Sequence, residues 1–230
     1  MFRSLATTVC LAIAAVVLAV ATAEAAPSSP INIYGNLGTV NASTTSNTVG
    51  YLSLAQPNQF QAQGFSVGNQ VGSSAWDIQE IQVGLGSSGA PSPVVGIYSS
   101  SPAPDSLLAT FTGTTSVSTK GLYTFTGSFT ALQNTSYWVV LSNANSASLE
   151  SYEWYSNDAF TQPTQQNASN VNYLATLERN DVAGSWTTAI PSLSIGINAV
   201  AVPEPPTYAL AMVAGVLGAG AAARRRAKKA

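Results

Sequence analysis

The chain has no histidine, a single cysteine and only 8 % charged residues in 230, against roughly 25 % in an ordinary soluble domain. Each shortage excludes a class of chemistry. With no histidine, and with Cys10 inside the leading apolar run, there can be no Ser-His-Asp triad, Cys-His pair, disulfide framework or zinc site of the usual kinds. Catalysis would have to rest on carboxylates, hydroxyls or a cofactor. Positive charge is scarcer still where it matters. Of eight basic residues, Arg3 stands at the start and Arg224, Arg225, Arg226, Lys228 and Lys229 at the end, leaving Lys120 and Arg179 between. Residues 27–202 therefore set two bases against eight acids, a net of −6. Phosphate-backbone binding needs clustered Lys and Arg, so nucleic acid is excluded as a partner. The composition is that of an exported protein.

Both ends read as addresses. Arg3 precedes an apolar run from Leu5 to Ala23, and small residues alternate through Ala21-Thr22-Ala23-Glu24-Ala25 before Pro27. That order describes a secretory signal over residues 1–25, cut by signal peptidase after Ala23 or Ala25. At the other end, Val202-Pro203-Glu204-Pro205-Pro206 is followed by an apolar stretch to Ala223 and then by Arg224-Arg225-Arg226. The prolines cannot continue a helix or a sheet ladder and leave an extended, accessible segment. Tyr208 to Ala223 is 16 residues, about 24 Å as a helix, a marginal span of a ~30 Å hydrocarbon core. The basic tail of Arg224, Arg225, Arg226, Lys228 and Lys229 stays on the cytoplasmic side and leaves the body outside the inner membrane.

Val202 to about Lys229 resembles the PEP-CTERM sorting signal of Gram-negative bacteria that make extracellular polysaccharide, with Pro203, Glu204 and Pro205 matching its motif and Pro206 standing where the family usually has Ser. The resemblance implies recognition by an exosortase-type transpeptidase. It also implies an inner-membrane precursor held by the C-terminal helix, and delivery of the body to the cell surface or extracellular matrix.

Residues 26–201 read as one β domain. Leu122, Thr124 and Thr126 alternate with Tyr123 and Phe125, and Leu193, Ile195, Ile197 and Ala199 alternate with Ser194, Gly196 and Asn198, the period of half-buried strands. Tyr137-Trp138-Val139-Val140-Leu141 is continuously apolar, as expected of a central strand covered on both faces. Further runs at 32–34, 59–67, 77–85, 94–99, 107–112, 152–155, 173–177 and 185–188 are separated by turn chemistry such as Gly86-Ser87-Ser88-Gly89 and Ser101-Pro102-Ala103-Pro104. Short strands at this spacing predict an all-β antiparallel sandwich, jelly-roll-like rather than a closed barrel. The polar segments 41–48 and 157–170 are expected to be exposed loops.

The body is also similar to the choice-of-anchor domains, specifically choice-anchor R, over roughly residues 55–200. The likeness rests on Gln61-Ala62-Gln63-Gly64-Phe65-Ser66-Val67, Ile81-Gln82-Val83-Gly84-Leu85, Val94-Val95-Gly96-Ile97-Tyr98-Ser99 and Asn134 through Leu141. It implies a β-rich bacterial surface domain and brings no catalytic residues with it.

Two kinds of site remain. Glycoside hydrolysis needs two carboxylates and no histidine, and Asp77/Glu80, Glu150/Glu153 and Glu178/Asp181 are each three apart. In a regular strand that spacing points to opposite faces, so none is a ready-made dyad. Acids and loop carbonyls could hold a structural calcium ion, although no Asp-x-Asp-x-Asp loop occurs; no cofactor is otherwise expected. Tyr152, Trp154 and Tyr155 beside Glu153 have the chemistry of glycan contact if exposed, and of core filling if not. The expectation is an exported, non-enzymatic surface or matrix protein associated with extracellular polysaccharide or biofilm. The alternatives are a carbohydrate-binding module or adhesin and, less favoured, a carboxylate-based glycoside hydrolase.

Overall fold

The computed structural model describes residues 29–37, 45–50, 58–69, 73–86, 92–144, 151–156, 162–166, 170–180, 183–189 and 192–203. The expected signal peptide over 1–25 and the part of the expected sorting segment beyond Pro203 lie outside these residues. Ser29–Val202 forms one compact unit. The described residues contain thirteen strands and no helix: β1 (Ile31–Gly35), β2 (Ser46–Gly50), β3 (Gln59–Val67), β4 (Ser73–Gly86), β5 (Pro93–Ser100), β6 (Pro104–Gly113), β7 (Gly121–Leu132), β8 (Thr135–Asn143), β9 (Ser151–Tyr155), β10 (Thr164–Gln165), β11 (Val171–Asn180), β12 (Thr187–Thr188) and β13 (Ile195–Pro203).

The hydrogen-bonded order is β10-β1-β13-β4-β7-β6-β5-β8-β3-β11-β12, with β2 and β9 paired to each other and linking β3 to β4. The registered pairings are antiparallel, so the all-β antiparallel expectation holds, and the arrangement is consistent with a sandwich. Two stretches of ladder are broad, β4 on β7 and β5-β8-β3-β11. Their junctions are narrow: β6 meets β7 at Thr112/Thr126 and Gly113/Phe125, β2 meets β3 at Gly50/Gln59, and β9 meets β4 at Leu85/Trp154 and Gly86/Glu153. Broad ladders joined at narrow junctions are consistent with two layers folded onto each other.

The core between the layers follows from the two-residue period. On β8, Tyr137, Val139 and Leu141 enter the main core, while Trp138 and Val140 form a second cluster with Ala62. The continuous apolar run is therefore covered on both sides, as expected. On β7, Phe125 and Ala131 are buried while Leu122, Thr124, Thr126, Ser128 and Thr130 face solvent. Contacts across the core tie the layers: Tyr34 of β1 stacks 5.7 Å from Phe65 of β3 and donates its hydroxyl to the Gly64 carbonyl at 3.1 Å. Phe65 in turn lies 5.8 Å from Tyr137.

Buried polar groups stitch the elements together. The Gln63 side chain is fully buried. Its Nε2 donates to the Ala175 carbonyl, and its Oε1 accepts from Thr176 Oγ1 and from the Leu193 backbone N–H. Buried groups satisfied in this way specify register, because a shifted strand would orphan all three partners.

Two segments expected as loops differ. Residues 46–48 of the first belong to β2, which pairs rung for rung with β9 from Ser46/Tyr155 to Gly50/Ser151. Thr164–Gln165 of the second forms β10 on the edge of β1. Ser46–Gly50 offers only Val49 to the core, too weak a pattern to read; pairing with β9 makes it a strand.

Candidate functional site

β9 alternates inward and outward, and it decides the fate of the aromatic cluster. Tyr152 and Trp154 point into the core with no exposure. The Tyr152 hydroxyl donates to the Ser142 carbonyl and Trp154 Nε1 to the Ser194 carbonyl, both at 2.9 Å. A sugar needs an open ring face, so Tyr152 and Trp154 are corrected from glycan-contact residues to core residues. Tyr155 points outward and is half-buried. The Lys120 ammonium sits over its ring, 4.1 Å from the centroid, and a Cβ on Gly86 would lie 2.8 Å from its Cε2. Lys120 therefore takes up the position a stacked sugar would need. Burial, with a smaller contribution from the Glu153 charge, raises the Tyr155 hydroxyl above its ordinary 10.0.

The acids are engaged individually. Glu153 accepts from Ser46 Oγ at 2.8 Å and Thr48 Oγ1 at 3.1 Å. Asp77 accepts from Ser128 Oγ and from Gln79 Nε2, and Glu80 accepts from Asn198 Nδ2 at 2.6 Å. A register shift between Ile78 and Glu80, where two β7 residues stand opposite Gln79 alone, lets Ile78 and Ile81 both enter the core and leaves Asp77 and Glu80 on the same outward face, a departure from the opposite-face expectation. Asp77 and Glu80 stand three residues apart on β4, about 10 Å along the strand at about 3.3 Å per residue, and each carboxylate is held by different partners, Ser128 and Gln79 for Asp77 and Asn198 for Glu80. Glu150 and Asp181, needed for the other two pairs, lie outside the described residues. Among the described residues no group of three His, Cys, Asp or Glu side chains could hold a metal ion.

The segment expected to be a sorting motif begins where β13 ends. Ile195, Ile197 and Ala199 are fully buried, and the Val202 carbonyl accepts a long hydrogen bond from Ser74 Oγ. Pro203 is the last strand residue; Glu204, Pro205 and the basic tail from Arg224 to Lys229 lie outside the described residues.

One feature escaped sequence reasoning. The outer face of β11-β3-β8-β5 carries a second hydrophobic cluster of Ala62, Trp138 and Val140, with Phe60, Tyr98, Ala175, Leu177 and Trp186 packed around it. Arg179 stacks between Phe60 and Trp186, 4.6 and 4.7 Å from their ring centroids. Trp138 Nε1 donates to Ser100 Oγ and Trp186 Nε1 to the Pro104 carbonyl, at 3.0 and 3.1 Å. The signals were present in the mid-strand Gly64 and Gly96: glycine inside a strand often marks close approach of another group. Here a Cβ on Gly64 would lie 2.8 Å from the Trp138 ring and one on Gly96 2.9 Å from Tyr98 Cε2.

No family model matches the chain, and no curated protein matches it. Site geometry and sequence therefore carry the functional argument alone.

Proposed function

We propose that this chain is an exported, non-enzymatic protein of the cell surface or extracellular matrix, a jelly-roll-like body delivered through a C-terminal signal of the PEP-CTERM type and associated with extracellular polysaccharide. The observation that carries the reading is the position of the boundary. The compact unit runs from Ser29 to Val202, so the body occupies the chain between the two segments whose sequences read as addresses, and β13 reaches its end at the first proline of the motif. The engagement of Asp77, Glu80 and Glu153 in separate hydrogen bonds favours a non-enzymatic body over a carboxylate hydrolase. The proposed partners are signal peptidase, an exosortase-type transpeptidase and extracellular polysaccharide, with the membrane contacted through the C-terminal helix of the precursor.

The test is fractionation of a Gram-negative host with an exosortase system, expressing the wild type or the triple variant Pro203→Ala, Glu204→Ala, Pro205→Ala. The wild-type body is expected at the surface or in the medium, and the variant is expected to stay with the inner membrane. Identical distribution of the two proteins would contradict the reading.

A further inference from the structure

An antiparallel layer with one face on the core normally turns polar residues to water on the other. The outer face of β5-β8-β3-β11 departs from that rule in an ordered way. Side chains on a strand ordinarily stand roughly perpendicular to the sheet, yet the Trp138 ring lies down across its neighbour: Nε1 reaches Ser100 on β5 while Cζ3 and Cη2 lie above Gly64 on β3. Tyr98, register partner of Trp138, likewise rests against Gly96. Leu174 continues the line on β11, its Cβ 3.0 Å from where a Cβ on Gly64 would stand, and it is 39 % exposed. Tyr98, Trp138, Gly64 and Leu174 thus make one low apolar row running across four strands.

A polar row lies beside it. Ser136 on β8 is register partner of Ser66 on β3, and Ser66 is partner of Asn172 on β11. Their chain neighbours Tyr137, Phe65, Val67 and Val171 all enter the core, so by alternation Ser136, Ser66 and Asn172 face outward. Asn172 is exposed and the two serines are half-buried. None of the three has a side-chain hydrogen bond among the described residues, whereas on the outer face of β7 Thr126 Oγ1 donates to the Thr112 carbonyl. Polar groups therefore recur at the strand spacing of about 4.8 Å, close to the length of one pyranose unit, along the edge of a low apolar strip.

We propose that this face is a carbohydrate platform that takes a polysaccharide chain lying across the strands. Its apolar sugar faces would lie against Tyr98 and Leu174, and its hydroxyls would exchange hydrogen bonds with Ser136, Ser66 and Asn172. The stacking and hydrogen-bonding roles are those that sugar recognition requires. Trp138 is only 2 % exposed, so its part is to set the level of the floor, and Tyr98 and Leu174 provide the contact surface. The low charge of the body, with Arg179 already stacked between Phe60 and Trp186, fits a ligand read by shape and hydroxyl groups. The inference deepens the matrix reading by naming the ligand class and moves glycan contact from β9 to this outer face.

The experiment is native affinity electrophoresis of the purified mature protein in gels containing a β-glucan, xylan, alginate or the extracellular polysaccharide of the producing strain. Tyr98→Ala and Asn172→Ala are compared with Thr124→Ala on the outer face of β7, and each variant's melting curve checks folding. The wild type is expected to be retarded in at least one gel. Asn172→Ala at its exposed site is expected to weaken retention several-fold, Tyr98→Ala by about tenfold or more, and Thr124→Ala not at all. No retardation in any gel overturns the inference, as does retardation that Tyr98→Ala and Asn172→Ala both leave unchanged. Binding to whole cells or proteins alone also overturns it, by assigning the face to a protein partner. A body that is exported normally yet binds no polysaccharide overturns this inference while leaving the sorting reading intact.

Discussion

Trp154 shows how one residue can carry two opposite functional meanings until its neighbours are known. Beside Glu153 and Tyr155 it has the chemistry of a sugar contact; on β9 it is fully buried with its indole N–H on the Ser194 carbonyl. Trp154→Ala should therefore cost about 3–5 kcal/mol of stability, the usual range for emptying a large aromatic site, and should be read by the denaturation midpoint. Reduced polysaccharide binding by a variant that keeps the wild-type midpoint would contradict the burial. The alternation Tyr152-inward, Glu153-outward, Trp154-inward was legible, since it is the period of any strand. What no single sequence position could supply was that Lys120, 35 positions away, covers the outward ring of Tyr155.

Among the elements, legibility followed the strength of the apolar period. β7, β8 and β13 announce themselves through alternation or through unbroken apolar runs, and their inner and outer faces fall as the pattern predicts. β2 and β10 were hidden because a short strand with one buried apolar side chain, or none, has no period to read; their pairing partners make them strands. The register shift between β4 and β7 was hidden for another reason: it changes which face the acids share without altering any residue type. The layers are linked by tyrosines whose ionisation the fold resists. Burial pushes the Tyr34 hydroxyl well above its ordinary 10.0, helped by Tyr173 and opposed by a hydrogen bond from Gln63, and burial alone does the same to Tyr152. With the folded value raised, the unfolded chain releases these protons first. The tyrosine contribution to stability is thus complete below about pH 10 and falls as pH rises beyond it. Alkaline titration should show unfolding coincident with the last tyrosinate absorbance, and the Tyr34→Phe, Tyr152→Phe double variant should lose less stability between pH 9 and 11. Equal loss in both proteins would show that these two hydroxyls are not the groups responsible.

At the scale of the whole molecule, the proposed destination of the chain rests on its terminal segments, and what would arrive there rests on the strands between them. No histidine, a body with two basic residues and an acidic balance left few reactions open, and the individually hydrogen-bonded acids supply no evident pair among the described residues. The outer-face platform was not legible because it is assembled from β5, β8, β3 and β11, whose adjacency is a matter of topology; only Gly64 and Gly96 hinted at it. The central claim is that a body of about Ser29 to Val202 is released from two addresses. Its most direct test is the intact mass of the protein recovered from the surface or medium of expressing cells. The account predicts a species lacking residues 1–25 and the chain beyond the Pro203-Glu204-Pro205 region. A mature protein that retains residues 208–230 and fractionates with the inner membrane would contradict it.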